Sequence, residues 1–139
     1  MKKFNIAVVG ATGMVGNKFL EVLEERNLPV DNYYLFASSR SAGKTYIEAV
    51  GAKWCMDMDI PANIKDMVVM NATEDVEKIA GMVDFVFCAV DMKKDEIKAL
   101  EEAYAKHECP VMSNNSAHRF TDDVPMIIPE INDEHMAIV

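Results

Sequence analysis

The chain has 139 residues, half of them apolar, with a formal net charge of −9 and a pI near 4.7. This length suits one compact domain with a substantial core and is too short for two. Because a surface this acidic repels phosphate backbones, we do not expect a nucleic-acid partner.

The chain opens on an apolar run that enters a turn with glycines at positions 10, 13 and 16. We predict a strand over Phe4–Val9 that is covered on both faces, followed by an amphipathic helix from about Met14 to Arg26. Glycine permits backbone angles that a side chain forbids, so this turn lets a pyrophosphate approach the main chain. The free N–H groups and the dipole of the helix favour the same anion. The stretch therefore predicts the phosphate-binding turn of a nucleotide domain.

The next region predicts one strand and then becomes ambiguous. Tyr33–Ala37 is typical of a second strand, and the polar residues 38–44 are typical of a loop at its carboxyl end. Residues 45–61 have no clean period, but two short pieces favour β structure: Tyr46–Val50 and Lys53–Met56.

The centre of the chain returns to alternating elements. We predict a strand over Met67–Met70 and a short helix over Glu74–Ala80, where a narrow apolar stripe recurs. Asp84–Val90 is the strongest strand after the first and is again apolar on both faces, which is typical of a parallel sheet.

A clear amphipathic helix follows, because Ile97, Leu100 and Tyr104 recur at three- and four-residue spacing. We predict Asp91 as its N-cap and an ion pair between Glu102 and Lys106 on its wet face.

The last elements are short. Val111–Ser113 is predicted to be a strand, residues 114–119 a polar loop and Met126–Ile128 a final strand. Residues 132–134 are typical of a helix start. The β-α-β alternation predicts an α/β fold of the Rossmann type, a doubly wound, mostly parallel sheet with helices on both faces and one nucleotide site at its carboxyl edge.

Two features select the nucleotide. The glycine turn lacks the Gly-Lys-Ser/Thr ending of an NTPase loop, since Asn17 follows Gly16, so ATP hydrolysis is disfavoured. The second strand ends without the Asp or Glu that accepts from the ribose of NAD. It is followed by Ser38, Arg40 and Ser41, whose hydroxyls and guanidinium suit a 2′-phosphate. We therefore predict NADP rather than NAD as the cofactor.

Several blocks of the chain together resemble the amino-terminal half of aspartate-semialdehyde dehydrogenases. These blocks are residues 10–16, 37–44, 113–119 and 122–132, in the order that the family has them. Residues 59–69 resemble the archaeal and fungal branch in particular. The resemblance implies that residues 1–139 form an NADP-binding domain.

The family reduces β-aspartyl phosphate to the semialdehyde with NADPH in amino-acid biosynthesis, through a thioester on a cysteine and with a histidine as acid/base. The resemblance implies that Thr12 to Val15 hold the pyrophosphate and that Arg119 binds the phosphate of an acyl-phosphate substrate. Asn114 would lie beside the cofactor. The full set of expected cofactor-binding residues is Gly10, Thr12, Gly13, Met14, Val15, Ser38, Arg40, Ser41, Ala89 and Asn114.

The family's nucleophilic cysteine lies downstream of the last block, so we expect no catalytic residue within this chain and no turnover by the chain alone. Cys88 falls in a predicted buried strand, Cys55 in an irregular apolar patch and Cys109 at a helix end. None has a Cys-x-x-Cys partner, so we expect no metal site, no disulfide framework and a reducing, cytoplasmic setting. No segment approaches the length of a membrane span. The family resemblance implies a homo-oligomer for the full-length protein.

Three alternatives remain open at this point. A sister acyl reductase, acting on N-acetylglutamyl phosphate or malonyl-CoA, would share the fold. An atypical short-chain dehydrogenase can have the same glycine turn, but no tyrosine here is followed by a lysine four residues on. A non-enzymatic NADP-binding sensor domain would also fit a chain without a nucleophile.

Overall fold

A five-stranded parallel sheet forms the centre of the molecule. The computed structural model describes residues 1–74 and 76–138. Its strands are β1 (Phe4–Val9), β2 (Val30–Ala37), β3 (Met70–Asn71), β4 (Phe85–Cys88) and β5 (Val111–Ser113). They are arranged in the order β3-β2-β1-β4-β5. The chain order reverses between β1 and β4, and such a switch point opens a crevice at the carboxyl ends of the strands.

Helices connect the strands across both faces of the sheet. They are α1 (Met14–Glu25), α2 (Tyr46–Val50), α3 (Ala62–Lys65), α4 (Val76–Ala80), α5 (Lys94–Lys106) and α6 (Pro129–Asn132). Single 3-10 segments follow α2 at Gly51–Lys53 and α6 at Asp133–Ile138.

The core is double, because alternate side chains of a strand point to opposite faces. Ile6 and Val8 pack on one face in a cluster with residues of α1, α2 and α3, including Leu20, Tyr46, Val50 and Ile64. Ala7 and Val9 pack on the other face with residues of α4 and α5, including Ile79, Leu100 and Tyr104. The predicted doubly wound sheet with helices on both faces is therefore confirmed.

Most predicted element positions agree with the structure. β1 and β5 have the predicted bounds, and α1 ends one residue earlier than predicted. β2 begins at Val30, three residues before the prediction, and β4 is shorter than predicted. The helix predicted over Glu74–Ala80 is observed from Val76, and Asp75 lies outside the described residues.

The region left ambiguous before β3 forms no strand from its two β-favouring pieces. Tyr46–Val50 is helical, because Thr45 forms a capping box in which its N–H and its hydroxyl both donate to the Glu48 carboxylate, at 3.0 and 2.7 Å. Of the piece Lys53–Met56, Lys53 ends the 3-10 segment and the other three residues are irregular. Of the predicted strand Met67–Met70, Met70 alone belongs to β3, and Val68 instead bridges antiparallel to Thr45.

Four predictions in the carboxyl-terminal half are also wrong. Met126–Ile128 does not pair with the sheet, and the helix predicted at residues 132–134 begins at Pro129. The N-cap of α5 is Lys93 rather than Asp91, and its N–H donates to the Glu96 carboxylate at 3.2 Å. The ion pair on this helix joins Lys98 to Glu102 at 3.9 Å instead of Glu102 to Lys106. Val139 lies outside the described residues.

Candidate functional site

The loops at the carboxyl edge of the sheet are tied to neighbouring strands by backbone hydrogen bonds. The N–H groups of Gly10 and Ala11 both donate to the Phe36 carbonyl, at 2.9 and 3.0 Å. The Ala89 N–H donates to the carbonyl that ends β1, at 2.8 Å, and the Asn114 N–H donates to the Cys88 carbonyl at 2.9 Å. The hydrogen-bond ladder of the strands therefore continues into the loops, and it holds the loops after β1, β4 and β5 together at one edge of the sheet.

The glycine turn is packed too tightly for side chains at two of its three glycines. Gly10 has a φ of +90°, and a Cβ there would lie 2.2 Å from the Ala89 carbonyl oxygen. A Cβ at Gly16 would lie 2.1 Å from the Gly10 carbonyl oxygen. At Gly13 the nearest atom would be 3.5 Å away, which is ordinary contact. The first glycine thus brings the turn against the loop that follows β4, and the third brings α1 against the turn.

The amino terminus of α1 is left open to an anion. Its N-cap is Gly13, which has no side chain, and its first turn carries no acidic residue. Within residues 1–74 and 76–138, the N–H groups of Thr12 and Met14 have no hydrogen-bond acceptor. Unpaired N–H groups at the positive end of a helix dipole form an anion site. The turn can therefore hold a phosphate or pyrophosphate.

The loop after β2 is a compact turn that exposes a cation. The N–H groups of Ser41 and Ala42 donate to the Ser38 carbonyl, at 2.9 and 3.1 Å, and Arg40 is exposed at the turn. Gly43, with a φ of +84°, returns the chain and donates to the Val69 carbonyl at 2.8 Å. No carboxylate of the described residues pairs with Arg40, so its guanidinium is available to an anionic ligand.

The loop after β5 brings Asn114 and Arg119 together. The Arg119 Nη2 donates to the Asn114 carbonyl at 3.2 Å. Asn114 lies on an open cleft of about 560 Å³ that also contains residues from the start of α1. The cleft is lined by Met14, Val15, Lys18, Phe19, Glu21, Cys55, Met56, Asp57 and Asn114. The structure thus places three of the predicted cofactor residues, Met14, Val15 and Asn114, around one cleft.

A buried carboxylate that the sequence analysis did not single out supports the same loop. Glu101, only 6% exposed, accepts a hydrogen bond from the Ser113 hydroxyl and another from the Asn115 side chain at 2.9 Å. Asn115 also contacts the Cys88 sulfur at 3.3 Å. The signal lay in the spacing, because Glu101 shares the buried face of α5 with Ile97 and Tyr104.

Two further polar residues that the sequence analysis did not identify lie beneath the glycine turn. Asn17 and Tyr46 are both fully buried; the Tyr46 hydroxyl donates to the Ala11 carbonyl, and the Asn17 amide nitrogen, turned toward the turn, reaches the Ala11 and Gly13 carbonyls. For Asn17 the signal was a polar residue on the buried face of α1. For Tyr46 the corresponding signal was not recognised, because its segment favours β structure when residue preferences are considered alone.

The cysteines and histidines form no catalytic cluster in the described part of the chain. Cys88 and Cys109 are buried, whereas Cys55 is exposed rather than packed in the apolar patch that was predicted. Burial, together with the nearby negative charge of Glu101, raises the pKa of Cys88 to about 12. Across residues 1–74 and 76–138, no group of three or more His, Cys, Asp and Glu side chains is placed to hold a metal ion.

The helices of the described residues include none with the length and apolar character needed to cross a membrane.

Comparison with known proteins gives the family. A sequence profile for the semialdehyde dehydrogenase NAD binding domain matches residues 5–139. The chain belongs to the semialdehyde dehydrogenase family.

Individual members of the family agree with this assignment. The chain is 38% identical over 135 residues to the aspartate-semialdehyde dehydrogenase of Methanothermobacter thermautotrophicus, with 97% of this chain and 36% of the relative covered. It is similar to the crystal structure of aspartate semialdehyde dehydrogenase with NADP from Candida albicans, with a TM-score of 0.84 and 30% identity over 98% of this chain and 36% of that one.

A third relative is aspartate semialdehyde dehydrogenase II of Vibrio cholerae in complex with ASA, with a TM-score of 0.75 and 33% identity, covering 99% of this chain and 39% of that one. The chain therefore spans between about a third and two fifths of the length of these semialdehyde dehydrogenases. The resemblance predicted from the sequence, including the archaeal relationship, is confirmed, and the sister acyl reductases and the sensor domain are not favoured.

Proposed function

We propose that the chain is the NADP-binding domain of an aspartate-semialdehyde dehydrogenase, which converts β-aspartyl phosphate, NADPH and a proton to aspartate semialdehyde, phosphate and NADP⁺. The observation that carries this proposal is that two features lie at the same edge of the sheet. One is the amino terminus of α1, which has no side-chain cap and is approached through the glycine turn; the other is the loop of serines and Arg40 after β2, which contains no carboxylate. The relative from Candida albicans, whose structure is described with NADP, supports the same cofactor.

Two loops of this chain bind different parts of the cofactor. The N–H groups of Thr12 and Met14 bind the pyrophosphate, and Gly10 and Ala89 keep the crevice narrow on the β4 side. Ser38, Arg40 and Ser41 bind the 2′-phosphate, for which a carboxylate at this place would be repulsive. The bound nicotinamide supplies the hydride.

The loop after β5 faces the substrate. Arg119 is exposed and lies against the Asn114 carbonyl, so its remaining N–H groups can take the phosphate of the acyl phosphate while Asn114 lies beside the nicotinamide. The nucleophile and the acid/base belong to a catalytic portion that these 139 residues do not contain. Cys88 and Cys109 are buried, and Cys55 makes no hydrogen bond within the described residues.

The cofactor preference can be measured on the 139-residue chain by titrating NADPH and NADH against the fluorescence of its one tryptophan, Trp54. We expect NADPH to bind more tightly than NADH. Arg40→Ala should raise the Kd for NADPH by about tenfold to a hundredfold, the effect of losing a hydrogen-bonded charge pair. NADH binding should change little in this variant.

A matched control is Arg26→Ala, which removes an exposed arginine at the end of α1, far from the loop after β2. It should leave both affinities unchanged. Tighter binding of NADH than of NADPH by the unaltered chain would overturn the assignment of the loop to a 2′-phosphate.

A further inference from the structure

Two buried polar side chains lie directly beneath the glycine turn. Asn17 and Tyr46 are both 0% exposed. The Tyr46 hydroxyl donates to the Ala11 carbonyl at 2.9 Å. With its amide nitrogen turned toward the turn, Asn17 donates to the Tyr46 hydroxyl at 2.8 Å, to the Ala11 carbonyl at 3.0 Å and to the Gly13 carbonyl at 3.2 Å. Two carbonyls of the turn are thus held on the protein side.

The hydrogen bonds to these carbonyls also fix the direction of the N–H groups. In a trans peptide the C=O and the following N–H point in opposite directions, and the described residues contain no cis peptide bond. When the Ala11 carbonyl is held inward, the Thr12 N–H points outward. When the Gly13 carbonyl is held inward, the Met14 N–H does the same. Both N–H groups are without an acceptor within the described part of the protein, and the Gly13 carbonyl also accepts from the backbone N–H of Asn17 at 2.9 Å.

We propose that Asn17 and Tyr46 are positioning residues for the cofactor pyrophosphate, because they hold two peptide groups of the glycine turn with their N–H groups facing the ligand. This inference rests on the proposed function. Neither residue touches the cofactor in this arrangement. Both act through the backbone, and both keep the partially negative carbonyl oxygens away from an anionic ligand.

The surroundings of Tyr46 fit such a role. Burial raises the pKa of Tyr46 well above its ordinary value, so the hydroxyl remains a hydrogen-bond donor throughout the physiological range. Its ring is held by the capped helix α2 and by an edge-on contact with Trp54, whose ring centroid lies 6.4 Å away. Trp54 therefore reports on ligands that act at the turn.

The chain provides a matched control in Tyr104. This residue is also 0% exposed, but it lies in α5 on the opposite face of the sheet, and among residues 1–74 and 76–138 its hydroxyl has no hydrogen-bond partner. Removal of either hydroxyl deletes one oxygen from a buried ring. Only the Tyr46 hydroxyl is bonded to the glycine turn.

The test compares Tyr46→Phe, Asn17→Ala and Tyr104→Phe with the unaltered 139-residue chain. Each is titrated with NADPH and with adenosine 2′-monophosphate, which lacks the pyrophosphate. We expect Tyr46→Phe to raise the Kd for NADPH by about fivefold to tenfold, the effect of one buried hydrogen bond, and to leave the Kd for adenosine 2′-monophosphate unchanged. Asn17→Ala should also raise the Kd for NADPH, since it removes the amide from the Ala11 carbonyl, while the backbone N–H of residue 17 still holds the Gly13 carbonyl. Tyr104→Phe should change neither affinity.

A second measurement needs no ligand. Amide hydrogen exchange in residues 10–15 should become faster in Tyr46→Phe but not in Tyr104→Phe, because the turn has lost its anchor. Equal weakening of both ligands by Tyr46→Phe, or unchanged NADPH binding and unchanged exchange, would overturn the positioning role. If the unaltered chain does not bind NADPH, the proposed function fails, and this inference fails with it.

Discussion

At the scale of single residues, the three glycines of the turn have different roles. Gly10 and Gly16 are required by close backbone contacts, since a Cβ at either would lie within about 2 Å of a carbonyl oxygen. Gly13 meets no such contact. Its role is at the N-cap of α1, where the side chain of a Ser, Thr, Asp or Asn would accept from the N–H of Val15 or Gly16 and compete with the ligand for the helix terminus. A sequence motif of three glycines thus combines two steric requirements with one electrostatic requirement.

The cysteines give a prediction at the same scale. With a pKa near 12, Cys88 is ionised to only about one part in ten thousand at pH 8, and the thiolate is the form that reacts. Burial also raises the pKa of Cys109. Cys55 is exposed. We therefore expect a thiol reagent to modify one cysteine rapidly in the native chain and all three after denaturation.

Variants identify the reactive thiol. Cys55→Ser should abolish the rapid phase, and Cys109→Ser should leave it intact. Rapid native modification of Cys88 would contradict the burial described here and would reopen the question of a nucleophile within the chain.

At the scale of elements, the helix α2 shows where local sequence preferences mislead. Aromatic and β-branched residues, such as Tyr46, Ile47 and Val50, favour strands when they are considered alone. The segment is helical because Thr45 and Glu48 cap it, and because helical spacing turns Tyr46 and Val50 together into the core. Because the segment was not recognised as a helix, the sequence analysis did not place the Tyr46 hydroxyl near the glycine turn, where it donates to the Ala11 carbonyl.

The final predicted strand failed for a different reason. Met126–Ile128 has the composition of a strand, but a strand is defined by pairing, and this segment does not pair with the free edge of β5. A strand that is covered on both faces, such as β1, was predictable from composition, because burial of both faces requires a continuous apolar run in the sequence. Edge position depends on tertiary neighbours that a local pattern does not contain, whereas the Thr45–Glu48 capping box is a local signal that β propensity overrode.

The pairing of β1 with β4 gives a prediction about pH. The Asn5 N–H donates to the Asp84 carboxylate at 2.8 Å, and Lys2 lies 3.4 Å from the same carboxylate. The hydrogen bond from Asn5 and, to a lesser extent, the charge of Lys2 hold the pKa of Asp84 below its ordinary value of 3.8. A carboxylate with a lowered pKa in the folded state stabilises the fold above its unfolded pKa. That stabilisation is lost as the pH falls through the folded pKa.

The change that tests this link is Asp84→Asn. We expect the variant to be less stable than the unaltered chain at pH 7 and to lose less stability between pH 5 and pH 3, as measured by urea denaturation at each pH. Asp31→Asn is the control, because Asp31 is an exposed strand carboxylate without a hydrogen bond in the described residues. If Asp84→Asn and Asp31→Asn have the same pH profile, the Asn5–Asp84 link does not stabilise the sheet.

At the scale of the whole molecule, charge and function are in opposition. The chain carries 14 basic and 23 acidic residues, a difference of −9, yet its proposed ligand is an anion. The conflict is resolved locally, because the carboxyl edge of the sheet presents the terminus of α1 and the exposed Arg40 and Arg119, while the loop between Ser38 and Thr45 contains no carboxylate. Global charge argues against a nucleic-acid partner, but it does not predict which small ligand a site can bind.

The carboxyl-terminal segment gives the molecule an apolar surface. Large apolar side chains between residues 120 and 138 are strongly exposed, among them Phe120 at 91%, Ile131 at 75% and Ile138 at 61%. Concentrated exposed apolar groups of this kind mark surfaces that other protein covers. The curated relative from Methanothermobacter thermautotrophicus is matched over only 36% of its length, so in that protein much more chain is available to cover such a surface.

We therefore expect the 139-residue chain to self-associate as its concentration rises, which sedimentation velocity would detect as a growing sedimentation coefficient. A double variant, Phe120→Ser with Ile131→Ser, should shift this association to higher concentration, because it removes the two most exposed large side chains of the segment. The matched control is Leu28→Ser with Val68→Ser, which changes two exposed apolar residues outside the segment, at 46% and 58% exposure. If the control reduces association as much as the double variant does, the contact is general hydrophobic adhesion. A chain that remains monomeric at all concentrations tested would show that the exposed apolar residues between 120 and 138 do not cause self-association.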